Sequence, residues 1–227
     1  MNHVNNYASS LKVMNLSDPI LKDVRVRQAI AHAIDYAAIT EAIAPSLQGT
    51  ASSLLMPWMD VYSKDAPTYG YDPEKARRLL AEAGYPNGFI LKTLGTSAQG
   101  VTEQQQFEID YLSQVGIKME RDTPTFNQRR NKGDFMTASR LLPAINPDMI
   151  LFSYLHPSNI APKGLNGARY DNPDLTATIE AARAEAEPER RMELYAKAQK
   201  IAMTDLPYLP ATSSNVFWPS KTEVQGV

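Results

Sequence analysis

The chain has no cysteine among its 227 residues. That removes thiolate nucleophiles, cysteine-ligated zinc and disulfides together. It also has no run of about 18 apolar residues, so no stretch reads as a membrane-spanning helix. An excess of one charge is missing as well. Lys and Arg number 23 against 25 Asp and Glu, a formal net charge of −2, and the basic residues are scattered. The electrostatic footprint of a nucleic-acid-binding protein is therefore absent, and no nucleic-acid partner is expected. Histidine is scarce, with 3 residues. His3 lies in the N-terminal segment, His32 on what reads as the polar face of a helix, and His156 alone in a loop after Tyr154. None has a second His or a carboxylate at i+3 or i+4 on a helix, so no preformed metal site is expected. His156 is a lesser candidate for a ligand contact. There is no nucleophile elbow, no pair of acids at catalytic spacing and no phosphate-binding glycine loop. The chain therefore does not read as an enzyme, and no cofactor is expected. Its opening, MNHVNNYASSLKVMNLS, lacks the basic start, apolar centre and small-residue cleavage site of a secretory signal.

What is present is core-forming sequence, 43% hydrophobic, enough for one large domain or two small ones. The most completely specified stretch is YDPEKARRLLAEAGYPNGF, Tyr71 to Phe89. Asp72 reads as an N-cap, Pro73 as the first helical residue, and Glu74 sits favourably at the positive end of the helix dipole. Ala76, Leu79, Leu80 and Ala83 form one apolar stripe. Gly84 and Pro86 end the helix, and Asn87-Gly88 turns the chain into an alternating strand, Phe89 to Leu94. The stretch predicts a helix packed on a sheet.

The rest follows the same grammar. Leu11, Val13 and Leu16 predict a short strand. Asp23 caps a helix bearing Val26, Ile30 and Ala33, and a second helix starts near Asp35 and closes at Pro45. Gln48 to Gly70 reads as a long loop in which Trp58 and Tyr62 cap the core. Thr102 and Gln105 form a capping box ahead of Phe107, Tyr111, Leu112 and Val115. Strands are expected at Ile117–Arg121 and Phe135–Leu141, with a short helix from Phe126 to Lys132 between them. Helices start at Asn172-Pro173 and Pro188, and Leu206-Pro207 stops the second. Leu209 to Trp218 is extended and re-enters the sheet. Strands joined through helices are normally parallel. The expected fold is a single α/β domain over residues 1–227, with a mixed, mainly parallel sheet and flanking helices.

Three blocks, DVRVRQAIAHAIDYAAI (23–39), YDPEKARRLLAEAGYPNGF (71–89) and YDNPDLTATIEAARAEAEPERRMELYAKAQKIAMTDLPYLP (170–210), occur in the order and spacing of one family. The chain resembles the family 5 extracellular solute-binding proteins of ABC importers, the peptide, nickel and oligopeptide class. The resemblance runs from about Leu11 to Gly226 and names no ligand. It implies one lobe of a two-lobed periplasmic binding protein, the second lobe, with the first absent. It also implies a small-molecule or peptide solute, an ABC permease as partner and a periplasmic location.

In open α/β sheets ligands bind beyond the carboxyl ends of the strands. That rule selects the loop GTSAQGV, Gly95 to Val101, and the loop RLLPAINPD, Arg140 to Asp148. The polar candidates are Thr96, Ser97, Gln99, Ser139 and Arg140, with Tyr154 on the same side. The resemblance bears on the second loop. Peptide-binding members carry there an aromatic residue, two small residues, an Asp that holds the substrate's amino group, and then Asp-Pro-Asp. Aligned on Asn146-Pro147-Asp148, Arg140 stands at the aromatic position and Pro143 at that of the Asp. The ammonium anchor is thus replaced, and Asp148 is a plausible helix cap. Arg140 offers a planar, permanently charged fork suited to carboxylate or phosphate; pairing with a surface acid is the alternative. Leu141, Leu142 and Ile145 would add apolar area, so self-association through this face is expected. The alternative to a solute-binding component is a sensory or interaction domain that borrows the fold.

Overall fold

The computed structural model describes residues 7–43, 45, 48–95, 101–122, 126–143 and 146–215. Local chemistry places the helices. The Asp23 side chain accepts from the Arg25 N–H to open α1 (Val24–Ala33), and Asp35 accepts from the Ala38 N–H to start α2 (Tyr36–Ile43). Asp72 accepts from the Lys75 N–H at the head of α3 (Pro73–Glu82). At its tail Gly84 takes φ +91°, and Gly84 and Tyr85 donate back to Ala81 and Leu80. A residue with a Cβ would be strained in that left-handed turn. The capping box of Thr102 and Gln105 opens α4 (Glu103–Ser113). Next come α5 (Phe126–Lys132) and α6 (Pro147–Leu155), then α7 (Pro173–Ala184) and α8 (Pro188–Asp205). Leu206 stops α8 in the left-handed conformation, φ 50°.

Six strands form one sheet: β1 (Tyr7–Met14), β2 (Gln48–Thr50), β3 (Ile90–Leu94), β4 (Lys118–Asp122), β5 (Thr137–Pro143) and β6 (Tyr208–Asn215), in the order β2-β6-β1-β5-β3-β4. The three strands expected at 89–94, 117–121 and 135–141 share that sheet, each displaced by one or two residues. The mixed α/β architecture is as expected, but parallel pairing does not predominate. β3 pairs in parallel with β4 and β5, whereas β1 lies antiparallel to β5 and β6, and β6 antiparallel to β2. Helical crossovers account for parallel pairing within the stretch from β3 to β5, whereas β1 and β6 come from opposite ends of the described chain. Their pairing shifts register between Ser10 and Leu11.

Alternation gives the sheet two different faces. Arg140 and Tyr208 face α6, and Leu11 and Val13, paired opposite them, share that face. Lys12 faces α2 and α4, where its Nζ meets Glu108 Oε2 at 2.7 Å, both side chains 2% exposed. Tyr36 and Gln104 donate to Glu108 Oε1 at 3.2 and 3.1 Å. The inward face of α4 therefore carries a buried carboxylate as well as Leu112. Burial raises the Tyr36 hydroxyl well above the usual tyrosine range, and the neighbouring Glu108 adds to this. On the same side Arg27, 3% exposed, donates to the carbonyls of Leu21, Lys22 and Asp205 and ties α1 to the end of α8.

Three local readings are corrected. Residues 48–50 are not loop; they form the edge strand β2 on β6. Tyr62 packs against the core, but Trp58 is 50% exposed rather than buried in it. His32 is not on a polar face: it is buried, its Nδ1 lies 2.7 Å from the Gly70 carbonyl and its ring meets Tyr69 edge-on. The Gly70 segment folds back over α1, a contact that α1's periodicity does not show.

Candidate functional site

β3, β4, β5 and β6 run in one direction, so their carboxyl ends meet at one edge of the sheet together with the amino ends of β1 and β2. Arg140 stands there on β5. Its guanidinium lies over the Tyr154 ring, 4.8 Å from the centroid. That distance falls within the range where ring and cation attract. Tyr154 is buried and meets Tyr208 edge-on, with centroids 6.2 Å apart. The Tyr208 hydroxyl accepts from the Gly167 N–H at 3.0 Å and donates to the Tyr154 carbonyl at 3.1 Å. Burial pushes that hydroxyl up to about 12, although the positive charge of Arg140 pulls the other way. Arg140 thus rests on a ring that is itself held from beneath. Among the described residues it forms no salt bridge, and its Nε is buried without a hydrogen-bond partner.

The expected site residues do not all converge. Ser139 and Arg140 are neighbours in a strand and project to opposite faces; Ser139 pairs across the sheet with Lys12. Tyr154 serves as the platform beneath Arg140. Ser97 and Gln99, with Thr96, lie outside the described residues. Leu142 is 1% exposed, so of the proposed apolar trio Leu141, 62% exposed, faces solvent; Ile145 lies outside the described residues. Asp148 is not the cap of α6. Asn146 is, accepting from the Met149 N–H, while Asp148 accepts from the Tyr195 hydroxyl and pairs with Arg183. His156 opens a short 3₁₀ turn at Pro157–Asn159, and its Nε2 lies 3.3 Å from Glu180.

Two features of this edge escaped the sequence reading. At the end of β3, a Cβ on Gly95 would collide with the Arg121 guanidinium, so the bare backbone there makes room for a second arginine. Arg121 is the last residue of the strand expected at 117–121, and the strand-end rule applied to that strand would have found it. The second feature is a hollow of about 430 Å³ between the segment Thr50–Trp58 and Ser213 of β6. It is assembled across the β2–β6 pairing, which no local pattern reveals. Among the described residues no group of three or more His, Cys, Asp or Glu gathers to hold a metal.

Residues 2–162 match the description "Bacterial extracellular solute-binding proteins, family 5 Middle". The chain belongs to this family. Among curated family 5 relatives it is 32% identical over 214 residues to heme-binding protein A of Haemophilus influenzae. It is 30% identical over 224 residues to the dipeptide-binding protein of Escherichia coli K12. Those alignments take in 90% and 93% of this chain but 39% and 41% of the relatives, so the chain spans about two fifths of their length. The solved structure of HbpA2 from Haemophilus parasuis superposes with a TM-score of 0.84 at 26% identity, over 94% of this chain and 45% of that one. DppA from Helicobacter pylori, an ABC transporter-associated periplasmic binding protein in complex with the peptide STSA, gives 0.83 at 25% identity, over 94% and 44%.

Proposed function

We propose that this chain is the second lobe of a periplasmic solute-binding protein of an ABC importer, and that it contributes an anion-binding arginine to the inter-lobe cleft in place of an ammonium-binding aspartate. One observation carries the reading: Arg140 rests on Tyr154 at the carboxyl edge of the sheet. The family resemblance supports it, since an alignment on Asn146-Pro147-Asp148 gives Arg140 the position of an aromatic residue and Pro143 that of the Asp. The relatives' names, heme-binding, dipeptide-binding and peptide-bound, support a small solute and a permease partner. A planar guanidinium prefers a carboxylate or phosphate oxygen pair. Ser97 and Gln99, in the segment that follows β3, are proposed as further contacts. Two-lobed binders close on their solute like a hinge and draw affinity from both sides, so this chain alone holds its solute weakly. Leu141 is the exposed apolar residue through which that face would self-associate.

Calorimetry with di- and tripeptides tests this, each with a free or acetylated amino terminus and a free or amidated carboxyl terminus. No micromolar binding is expected from the chain alone, and acetylation is expected to cost nothing. Micromolar affinity that collapses on acetylation would show that an ammonium site exists after all and would refute the proposal.

A further inference from the structure

We infer that the hollow beside Trp58 is a second subsite of the same edge, shaped for an uncharged apolar group of the solute; this rests on reading that edge as the solute-binding side. Its volume, about 430 Å³, lies within the range of small-molecule pockets. Thr50, Ser52, Leu55, Met56 and Trp58 line one side and Ser213 the other, and none of the described lining residues carries a charge. An ionic group entering it would lose water without gaining a counter-charge.

The wall is built rather than incidental. Met56 is buried and accepts from the Ser9 hydroxyl at 3.7 Å, which ties the segment to the end of β1. Ser53 is held by Gln199 of α8 at 2.6 Å. Leu54, Leu55, Met56 and Met59 are all buried, whereas Trp58 among them is half in water at the mouth. An indole placed there offers a flat apolar surface. The thioether of Met56 adds a polarisable wall that suits a ring.

Register relates this hollow to Arg140. Arg140 is opposite Leu11, Leu142 opposite Ser9, and Ser9 opposite Ser213. Ser213 and Arg140 therefore project from the same face. They are two strands apart and two residues along, on the order of 12 Å by ordinary strand spacing and rise. That is about the span of three to four extended residues. The solute class is thus an anion with a neutral aromatic or branched apolar group about a tripeptide's length away.

The test is an NMR titration of the 227-residue chain, suited to weak binding, with three probes: benzoyl-triglycine, acetyl-triglycine and benzoyl-triglycine amide. The wild type is expected to bind the first about tenfold more tightly than the second, with the Trp58 indole resonance shifting. In Trp58→Ala the ring advantage disappears while the carboxylate advantage over the amide stays. In Arg140→Gln the carboxylate advantage disappears while the ring advantage stays. A ring advantage of the same size in Trp58→Ala, or none in the wild type beside a clear carboxylate advantage, overturns the subsite and leaves the lobe reading intact. Absence of both advantages in the wild type overturns both. Trp58 is half exposed, so its removal leaves the core in place, and the amide spectrum of the variant reports that directly.

Discussion

The two halves of the sheet are put together in opposite ways. β3, β4 and β5 come from one continuous stretch, residues 90–143, with α4 and α5 between them, and pair in parallel. β1 and β6 pair antiparallel although nearly the whole described chain separates them. The first half is local: α4 carries its own capping box, and Gly116 and Gly133 turn the chain after α4 and α5. The second is held by contacts that exist only once the chain has closed on itself. The Lys12–Glu108 pair joins the halves, with its lysine on β1 and its acid on α4.

Breaking that joint should produce the largest loss. Lys12→Met leaves Glu108 buried without its counter-charge, and about 3–5 kcal/mol of stability is expected to go. The double variant Lys12→Met with Glu108→Leu should recover more than half of it, because the stranded charge goes too. Urea unfolding of the two variants decides this. Equal losses would mean that the pair itself, and not the orphaned acid, holds the halves together.

Tyr208 probes the antiparallel half through pH. Its hydroxyl stays protonated in the fold up to about 12, against an ordinary 10.0. Above pH 10 an unfolded chain gives up that proton and the folded one keeps it. The contribution is therefore whole below pH 10 and is lost as pH rises toward 12, by about 1.4 kcal/mol per pH unit. Tyr208→Phe is expected to flatten that part of the stability curve. It should also cost about 1–3 kcal/mol at neutral pH by taking the acceptor from the Ala168 N–H. A slope unchanged by the substitution would place the alkaline loss on Tyr36 and Tyr170, which burial also raises.

The local half should show smaller and more independent effects. Asp72→Ala removes one cap from α3 and is expected to cost about 1 kcal/mol. Hydrogen exchange should rise in the first turn of α3 while the β1–β6 ladder stays protected. Smallest of all, Trp58→Ala should stay within about 0.5 kcal/mol of wild type in thermal unfolding, as for a surface residue, although it is expected to abolish the ring preference in binding. A large loss of stability there would mean that the ring serves the core after all.

The caps at Asp23, Asp72, Thr102 and Asn172, the stops at Gly84 and Leu206, and the strands of the parallel half were all legible because each depends on residues within one or two turns of each other. The strand-end rule also pointed to Arg140, which lies at that carboxyl edge over the Tyr154 ring. The antiparallel core was legible only as two apolar segments with no stated partner. His32 misled because the carbonyl that accepts it, Gly70, belongs to a distant loop. Trp58 misled because large aromatics mostly pack inward, whereas here Leu54, Leu55, Met56 and Met59 take the buried positions and the indole stands at the mouth of the hollow. Ser139 and Arg140 were grouped as neighbours in sequence, although alternation in a strand sends them to opposite faces.

Apart from β2, which read as loop, the sequence by itself determined where helix and strand segments lie and, through the three matching blocks, the family, because capping, turn chemistry and apolar spacing act over a few residues. The tertiary structure alone decided that Lys12 meets Glu108, that Arg140 rests on Tyr154, and that Trp58 rims a hollow walled by Ser213. Lys12 and Glu108, like Trp58 and Ser213, are far apart in the chain and meet only once β1, β6 and β2 have paired into the sheet, whereas Arg140 meets Tyr154 because α6 packs back on the strand it follows.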